Sequence, residues 1–214
     1  MSGLFITLEG GEGSGKTTVA SEVIKKFSQI GVDVIYTREP GGSQIAEKIR
    51  DLILDPNHTE MDSRTEALLY AAARRQHLVE KVLPALKAGK VVLCDRFIDS
   101  SIVYQGHARE IEIEQIYKIN DFAIDGCMPD LTILLNIKPE LGLARIAVNK
   151  NREVNRLDLE EMIFHEKVYE GYQLQMEENL DRIRVVDASQ SIENVCQDVY
   201  LLLLEQMKQS SHFQ

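Results

Sequence analysis

The segment Gly10-Gly11-Glu12-Gly13-Ser14-Gly15-Lys16-Thr17 has the spacing by which a backbone cradles a polyphosphate. Glycines permit the tight turns that aim N–H groups at phosphate oxygens, and a helix beginning at the far end adds the positive pole of its dipole. Lys16 can reach the terminal phosphates, and the Thr17 hydroxyl is a hard oxygen ligand for magnesium. Both flanks agree: Leu4 to Leu8 reads as a strand and Thr17 to Ile30 as a helix. A merely flexible glycine turn leaves Lys16 and Thr17 unexplained, so the segment predicts ATP binding. Switches, motors and small-molecule kinases share this cradle, so it does not choose the reaction. A GTPase switch is disfavoured because Asn149-Lys150-Asn151-Arg152 lacks the aspartate of a guanine-reading motif, and no aspartate precedes a glycine by three.

Further charged groups stand where apolar runs end. Val32 to Thr37 runs into Arg38-Glu39-Pro40-Gly41-Gly42, and Val91 to Cys94 runs into Asp95-Arg96. In an open parallel sheet, ligands sit beyond the carboxyl ends of the strands, the edge the glycine loop also occupies. Arg38 and Arg96 could there clamp the phosphate of an acceptor, offsetting repulsion between two polyanions, while Asp95 holds magnesium through water. Isolated surface ion pairs are the competing reading, worth about 0–1 kcal/mol each. Tyr70 and Arg74, at i and i+4, share a helical face and form a plausible base clamp; Ser101, Tyr104 and Gln105 would share another if that stretch is helical. Packing and capping are the alternative for each.

The elements that must position these groups follow from the apolar pattern. Leu4 to Leu8, Val32 to Thr37, Val91 to Cys94, Leu131 to Leu135 and Ile183 to Val186 read as buried strands separated by helix-length segments. Alternation of this kind predicts an α/β fold with a mostly parallel sheet covered by helices on both faces, in one domain. Asp62 to Lys87 is the longest helical pattern, which Pro84 should kink or interrupt. The polar, basic stretch Asn149 to Leu157 suggests a lid. With 24 basic against 34 acidic side chains, the net charge of −10 argues against nucleic acid or anionic membranes as partners, so basic groups must gather locally. Three widely spaced cysteines indicate neither a disulfide framework nor a zinc site. No apolar run approaches the roughly 20 residues of a spanning helix, so a soluble, cytoplasmic protein is expected.

Thr37-Arg38-Glu39-Pro40-Gly41-Gly42, Ala72-Ala73-Arg74-Arg75, Asp95-Arg96-Phe97-Ile98-Asp99-Ser100-Ser101 and Tyr104-Gln105-Gly106, in this order after the glycine loop, resemble bacterial thymidylate kinase across nearly the whole chain. The resemblance implies a P-loop fold with a five-stranded parallel core, a homodimer, and transfer of the γ-phosphoryl group of ATP to dTMP with Mg2+. It assigns Gly10 to Thr17 to ATP; Thr17 and Asp95 to the metal; and Arg38, Glu39, Arg50, Tyr70, Arg74, Arg96, Ser101, Tyr104 and Gln105 to dTMP. In it the aromatic ring stacks on thymine, the arginine of the clamp bonds O4, and Tyr104 disfavours a ribose 2′-hydroxyl. Tyr70 stands where the family usually has phenylalanine. Lys16, Arg38, Glu39, Arg96 and a lid arginine are the implied catalytic set; Glu12 in the loop points to the lid-arginine type, with Arg152 first and Arg145 and Arg156 as competitors. A kinase for other monophosphates, or a non-enzymatic ATP-dependent switch, remains the alternative on the residues alone.

Overall fold

The computed structural model describes residues 3–148 and 156–210. Its centre is a five-stranded sheet in the order β2-β3-β1-β4-β5, every pairing parallel. The strands are β1 (Leu4–Glu9), β2 (Val34–Arg38), β3 (Val91–Asp95), β4 (Leu131–Asn136) and β5 (Ile183–Asp187). Each falls on a predicted apolar run and carries one further, polar residue at its carboxyl end. Register then aligns those ends: Leu8 and Arg38 both stand opposite Asp95, and Asn136 stands opposite Asp187.

Alternation along the strands builds two cores. Leu4, Ile6 and Leu8 face a layer made by α1 (Lys16–Gln29) and α9 (Ile192–Gln209), whose Val19, Val23, Phe27, Val199 and Leu203 are buried. Phe27 packs on Tyr200 with ring centroids 4.8 Å apart; an aromatic so buried is worth about 3–5 kcal/mol against alanine. Phe5, Val92 and Cys94 face the opposite layer, built from α3 (Ser63–His77), α4 (Leu83–Lys87) and α6 (Ile113–Ile124). The remaining helices are α2 (Gln44–Leu54), α5 (Ile98–Ser101), α7 (Pro139–Val148) and α8 (Met162–Glu178).

Two irregular turns interrupt helical runs. Between α3 and α4, Leu78–Val82 forms a π turn in which the Leu83 N–H bonds the Leu78 carbonyl, five residues back. Pro84 has no N–H to give to the preceding turn, and the widened ladder is how the predicted interruption is accommodated. After α5, Ile102–Ala108 is likewise π-helical, closed by Arg109 N–H on Tyr104 O at 2.9 Å. The stretch on which Ser101, Tyr104 and Gln105 would share a face if helical is thus helical, but Ser101 ends α5 while Tyr104 and Gln105 lie on the wider turn, a form frequent at functional sites.

Candidate active site

The glycine loop leaves β1 and enters α1 through backbone that L side chains rarely adopt: φ is 145° at Gly10, 71° at Gly13 and 93° at Gly15. It is clasped from outside by α7. A Cβ placed on Gly13 would lie 2.0 Å from the Gly142 carbonyl oxygen, and one on Gly142 would lie 2.2 Å from the Glu12 carbonyl oxygen. Lys16 is buried and curls over the loop, donating to Gly10 O at 2.9 Å, Gly11 O at 3.1 Å and Ser14 Oγ at 3.2 Å. Burial, then the neighbouring Arg96 guanidinium, pushes its amine down to about 8. Beside it the Thr17 hydroxyl donates to Asp95 Oδ2 at 3.1 Å, and the Tyr36 hydroxyl reaches the same oxygen at 3.2 Å.

Arg96 stands between this loop and the rest of a cleft of about 1170 Å³. Its backbone is left-handed, φ 69°, which turns the side chain back over the loop. NH2 donates to Glu12 Oε1 at 2.7 Å; NH1 faces Gly10 O at 3.1 Å, Ser100 Oγ at 3.2 Å and the Tyr172 hydroxyl at 3.3 Å. The guanidinium also lies over the Tyr104 ring, 4.9 Å from its centroid, and the Tyr104 hydroxyl donates to Glu12 Oε1 at 2.9 Å. Ser100 and Tyr172 in turn donate to Glu9 Oε2 at 2.6 and 2.8 Å, while Glu9 Oε1 accepts from Phe97 N–H at 2.7 Å. Glu9 has no exposed surface, and burial followed by the nearby Asp99 charge pushes it up to about 7.

The far end of the cleft is built around Arg74, 2% exposed. Nε donates to Glu39 Oε2 at 2.7 Å, NH1 to Ser101 Oγ at 2.9 Å and to Asn120 Oδ1, and NH2 to Phe97 O at 2.9 Å. Four of its five N–H bonds thus hold the guanidinium still, leaving one NH2 hydrogen without an acceptor among the described residues. Glu39 is also buried, its other oxygen 2.8 Å from His77 Nδ1, and His77 Nε2 lies 2.7 Å from Thr37 Oγ1. Tyr70 lines the cleft one helical turn before Arg74, and burial raises its phenol above the ordinary range. Gln105 donates from Nε2 to Glu66 Oε1 at 2.9 Å.

Gly13 to Thr17, Glu12, Arg38, Glu39, Arg50, Tyr70, Arg74, Asp95, Arg96, Ser101, Tyr104 and Gln105 border one cleft. Two of the arginines are engaged elsewhere in this conformation: Arg38 donates to both oxygens of Glu47, 3.0 and 3.2 Å away, and Arg50 to Pro40 O at 3.0 Å. The lid arginines separate. Arg145 lies on the cleft wall, whereas Arg156 is 5% exposed, paired with Glu66 and donating from Nε to Ile53 O at 3.0 Å. Arg156, a candidate to close over the transferring group from the lid, braces the wall in this conformation instead. Arg152 and residues 149–155 of the expected lid lie outside the described residues.

Sequence reasoning did not single out Glu9, Glu66, His77, Ser100 or Tyr172. Glu66 was within reach, since Glu66, Tyr70 and Arg74 continue one i, i+4, i+8 stripe. Ser100 sits inside a quoted motif. Tyr172, 163 positions from Glu9, carries no local signal.

A family model for thymidylate kinase matches residues 8–199. Thymidylate kinase of Oceanobacillus iheyensis is 63% identical over 198 residues, covering 92% of this chain and 88% of that protein. That of Geobacillus thermodenitrificans is 54% identical over 214 residues, 100% of this chain and 95% of its own. Among solved structures, the thymidylate kinase of Ehrlichia chaffeensis superposes with a TM-score of 0.76 at 34% identity, covering 94% of this chain and 98% of that one.

Proposed function

The chain belongs to the thymidylate kinase family, and from that premise we propose how its cleft carries out the reaction. The enzyme phosphorylates dTMP to dTDP, with ATP as phosphoryl donor. The observation that carries the reading is that Arg96 reaches the P-loop at one end while sharing its wall with the Arg74, Ser101 and Gln105 edge. Donor and acceptor then meet across one guanidinium.

ATP phosphates take the backbone N–H groups of Gly10 to Thr17 and the Lys16 ammonium. At neutral pH Lys16 is mostly charged even with its pKa near 8, and a phosphate beside it favours the charged form further. Thr17 and Asp95 fit magnesium: a hydroxyl and a carboxylate 3.1 Å apart are hard oxygen donors, and this ion needs only one or two protein ligands beside phosphates and water. Bound there, Mg2+ would neutralise charge on the β and γ oxygens.

A phosphate monoester has a second pKa near 6, so the attacking dTMP oxygen is already ionised and needs little proton removal. Arg96 and Arg38 hold that phosphate, with Arg50 and Glu39 bordering it. Tyr70 stacks on the base, the remaining Arg74 N–H and the Ser101 hydroxyl face O4, and Gln105 faces N3. Tyr104, pinned to Glu12, occupies the side where a 2′-hydroxyl would project. Arg145, on the cleft wall, is the described arginine best placed to follow the transferring group.

We further infer a single catalytic domain acting as a homodimer in the cytoplasm. Three unpaired cysteines suit a reducing compartment. Leu68 on α3, Val79 in the π turn that follows it and Phe122 on the adjoining α6 are exposed, apolar side chains a second copy would cover. No helix among the described residues is long and apolar enough to cross a membrane.

The test is ADP production with ATP and magnesium, comparing dTMP, dUMP, dCMP, AMP and GMP, with Lys16→Ala and EDTA as controls. dTMP-dependent turnover lost in both controls is expected; acceptor-independent ATP consumption by folded protein would sink the reading.

A further inference from the structure

Gln105 presents either its carbonyl or its NH2 to the cleft, and the two choices read opposite base edges. Its own neighbours decide. Nε2 donates to Glu66 Oε1 at 2.9 Å, and Glu66, 1% exposed, faces Arg109 and Arg156 on its other oxygen. A carboxylate held between two guanidiniums accepts hydrogen bonds only. The amide nitrogen must therefore turn toward α3, leaving Oε1 toward the cleft that Gln105 borders. That oxygen has no partner among the described residues.

We propose that Glu66 is a specificity-determining positioning residue: by fixing the Gln105 amide with its oxygen toward the acceptor base, it makes the site select an N3–H donor. The proposal rests on the reading of this cleft as the dTMP site. Thymine N3–H donates to that oxygen. Cytosine offers a bare N3 there, setting two acceptors against each other, while its amino group faces the Arg74 N–H. Glu66 touches no substrate and works through Gln105. A site that hydrogen-bonds the correct base rejects the mismatched one far more strongly than an apolar pocket does.

The test is the ratio of kcat/KM for dTMP to that for dCMP, which is independent of how much enzyme is folded. In Glu66→Gln the new amide can donate to the Gln105 oxygen and release its NH2 to the cleft, so the ratio should fall at least about tenfold, one hydrogen bond's worth of discrimination. Arg109→Gln, which leaves Glu66 Oε1 on Gln105, should keep the ratio within about threefold while lowering Tm. A Glu66→Gln ratio within threefold of wild type overturns the proposal and leaves the dTMP reading standing; absence of dTMP turnover in wild type overturns both. Should Glu66→Gln not fold, NMR of the labelled wild-type enzyme with dTMP decides. Cross-relaxation of the Gln105 NH2 protons with Glu66 side-chain protons supports the proposal, and their cross-relaxation with a thymine ring group overturns it.

Discussion

Glu9 ends β1 as an isolated carboxylate after an apolar run, which in sequence reads as a strand reaching the surface. In the fold it is fully buried, and its hydroxyl partners Ser100 and Tyr172 come from 91 and 163 positions away. Those two hydroxyls also face Arg96, so the carboxyl anchors the arginine through two side chains. Burial, followed by Asp99, lifts it from 4.5 to about 7. The folded protein therefore retains a proton that the unfolded chain releases above about pH 4.5. For this group stability falls as pH rises through that window and levels off above pH 7, by roughly 3 kcal/mol in total. Glu9→Gln, which keeps the shape and removes the charge, should gain Tm relative to wild type between pH 5 and pH 8. A Tm difference flat across that range would show that Glu9 is not protonated in the fold. Arg38, Arg74 and Arg96 were legible because a guanidinium at a strand end or on a helical stripe has few uses; Glu9 was not, because its role depends on residues brought in by topology.

At the scale of elements, the strands were readable from apolar alternation up to their last residue. The polar residue closing each one belongs to the ladder, and at β2 and β3, as Arg38 and Asp95, to the cleft as well; hydropathy excludes it. The π turn at Tyr104 and Gln105 left no mark, since the apolar spacing around it is compatible with an ordinary helix. Gly142 is the other silent position. Nothing near it resembles a motif, yet α7 touches the P-loop backbone there, and α7 also carries Arg145. Gly142→Ala sets a methyl carbon 2.2 Å from the Glu12 carbonyl, so loop or helix must move. Overpacking of this kind costs about 1–3 kcal/mol, and displacement of a phosphate cradle lowers turnover more than stability suggests. We expect kcat to fall by about tenfold or more with a modest loss of Tm. Turnover within twofold of wild type would mean that the P-loop does not depend on this contact.

The whole molecule carries a net charge of −10, yet its cleft gathers Lys16 and several arginines, so attraction for two polyanions is local while the exterior repels other acidic molecules, a second copy included. The homodimer proposed above then rests on apolar burial. The outer side of α3 and its neighbour α6 supply it, with Phe122 87% exposed and Leu68 57% exposed. Covering one such aromatic ring is worth about 1.5–3 kcal/mol, and a twofold interface counts it twice. Phe122→Asp replaces that ring with a further negative charge on each copy and should weaken the dimer by roughly 100-fold or more, seen as a shift to monomer in sedimentation velocity at micromolar concentration. The inner side of α3 bears Arg74, Tyr70 and Glu66, whereas the P-loop, at the other end of the cleft, runs into α1 on the opposite face of the sheet. Loss of the partner should accordingly raise KM for dTMP and leave KM for ATP nearly unchanged. If Phe122→Asp sediments as wild type does, the α3–α6 stripe is not where two copies meet; if it dissociates with both KM values unchanged, the acceptor site is complete within one chain.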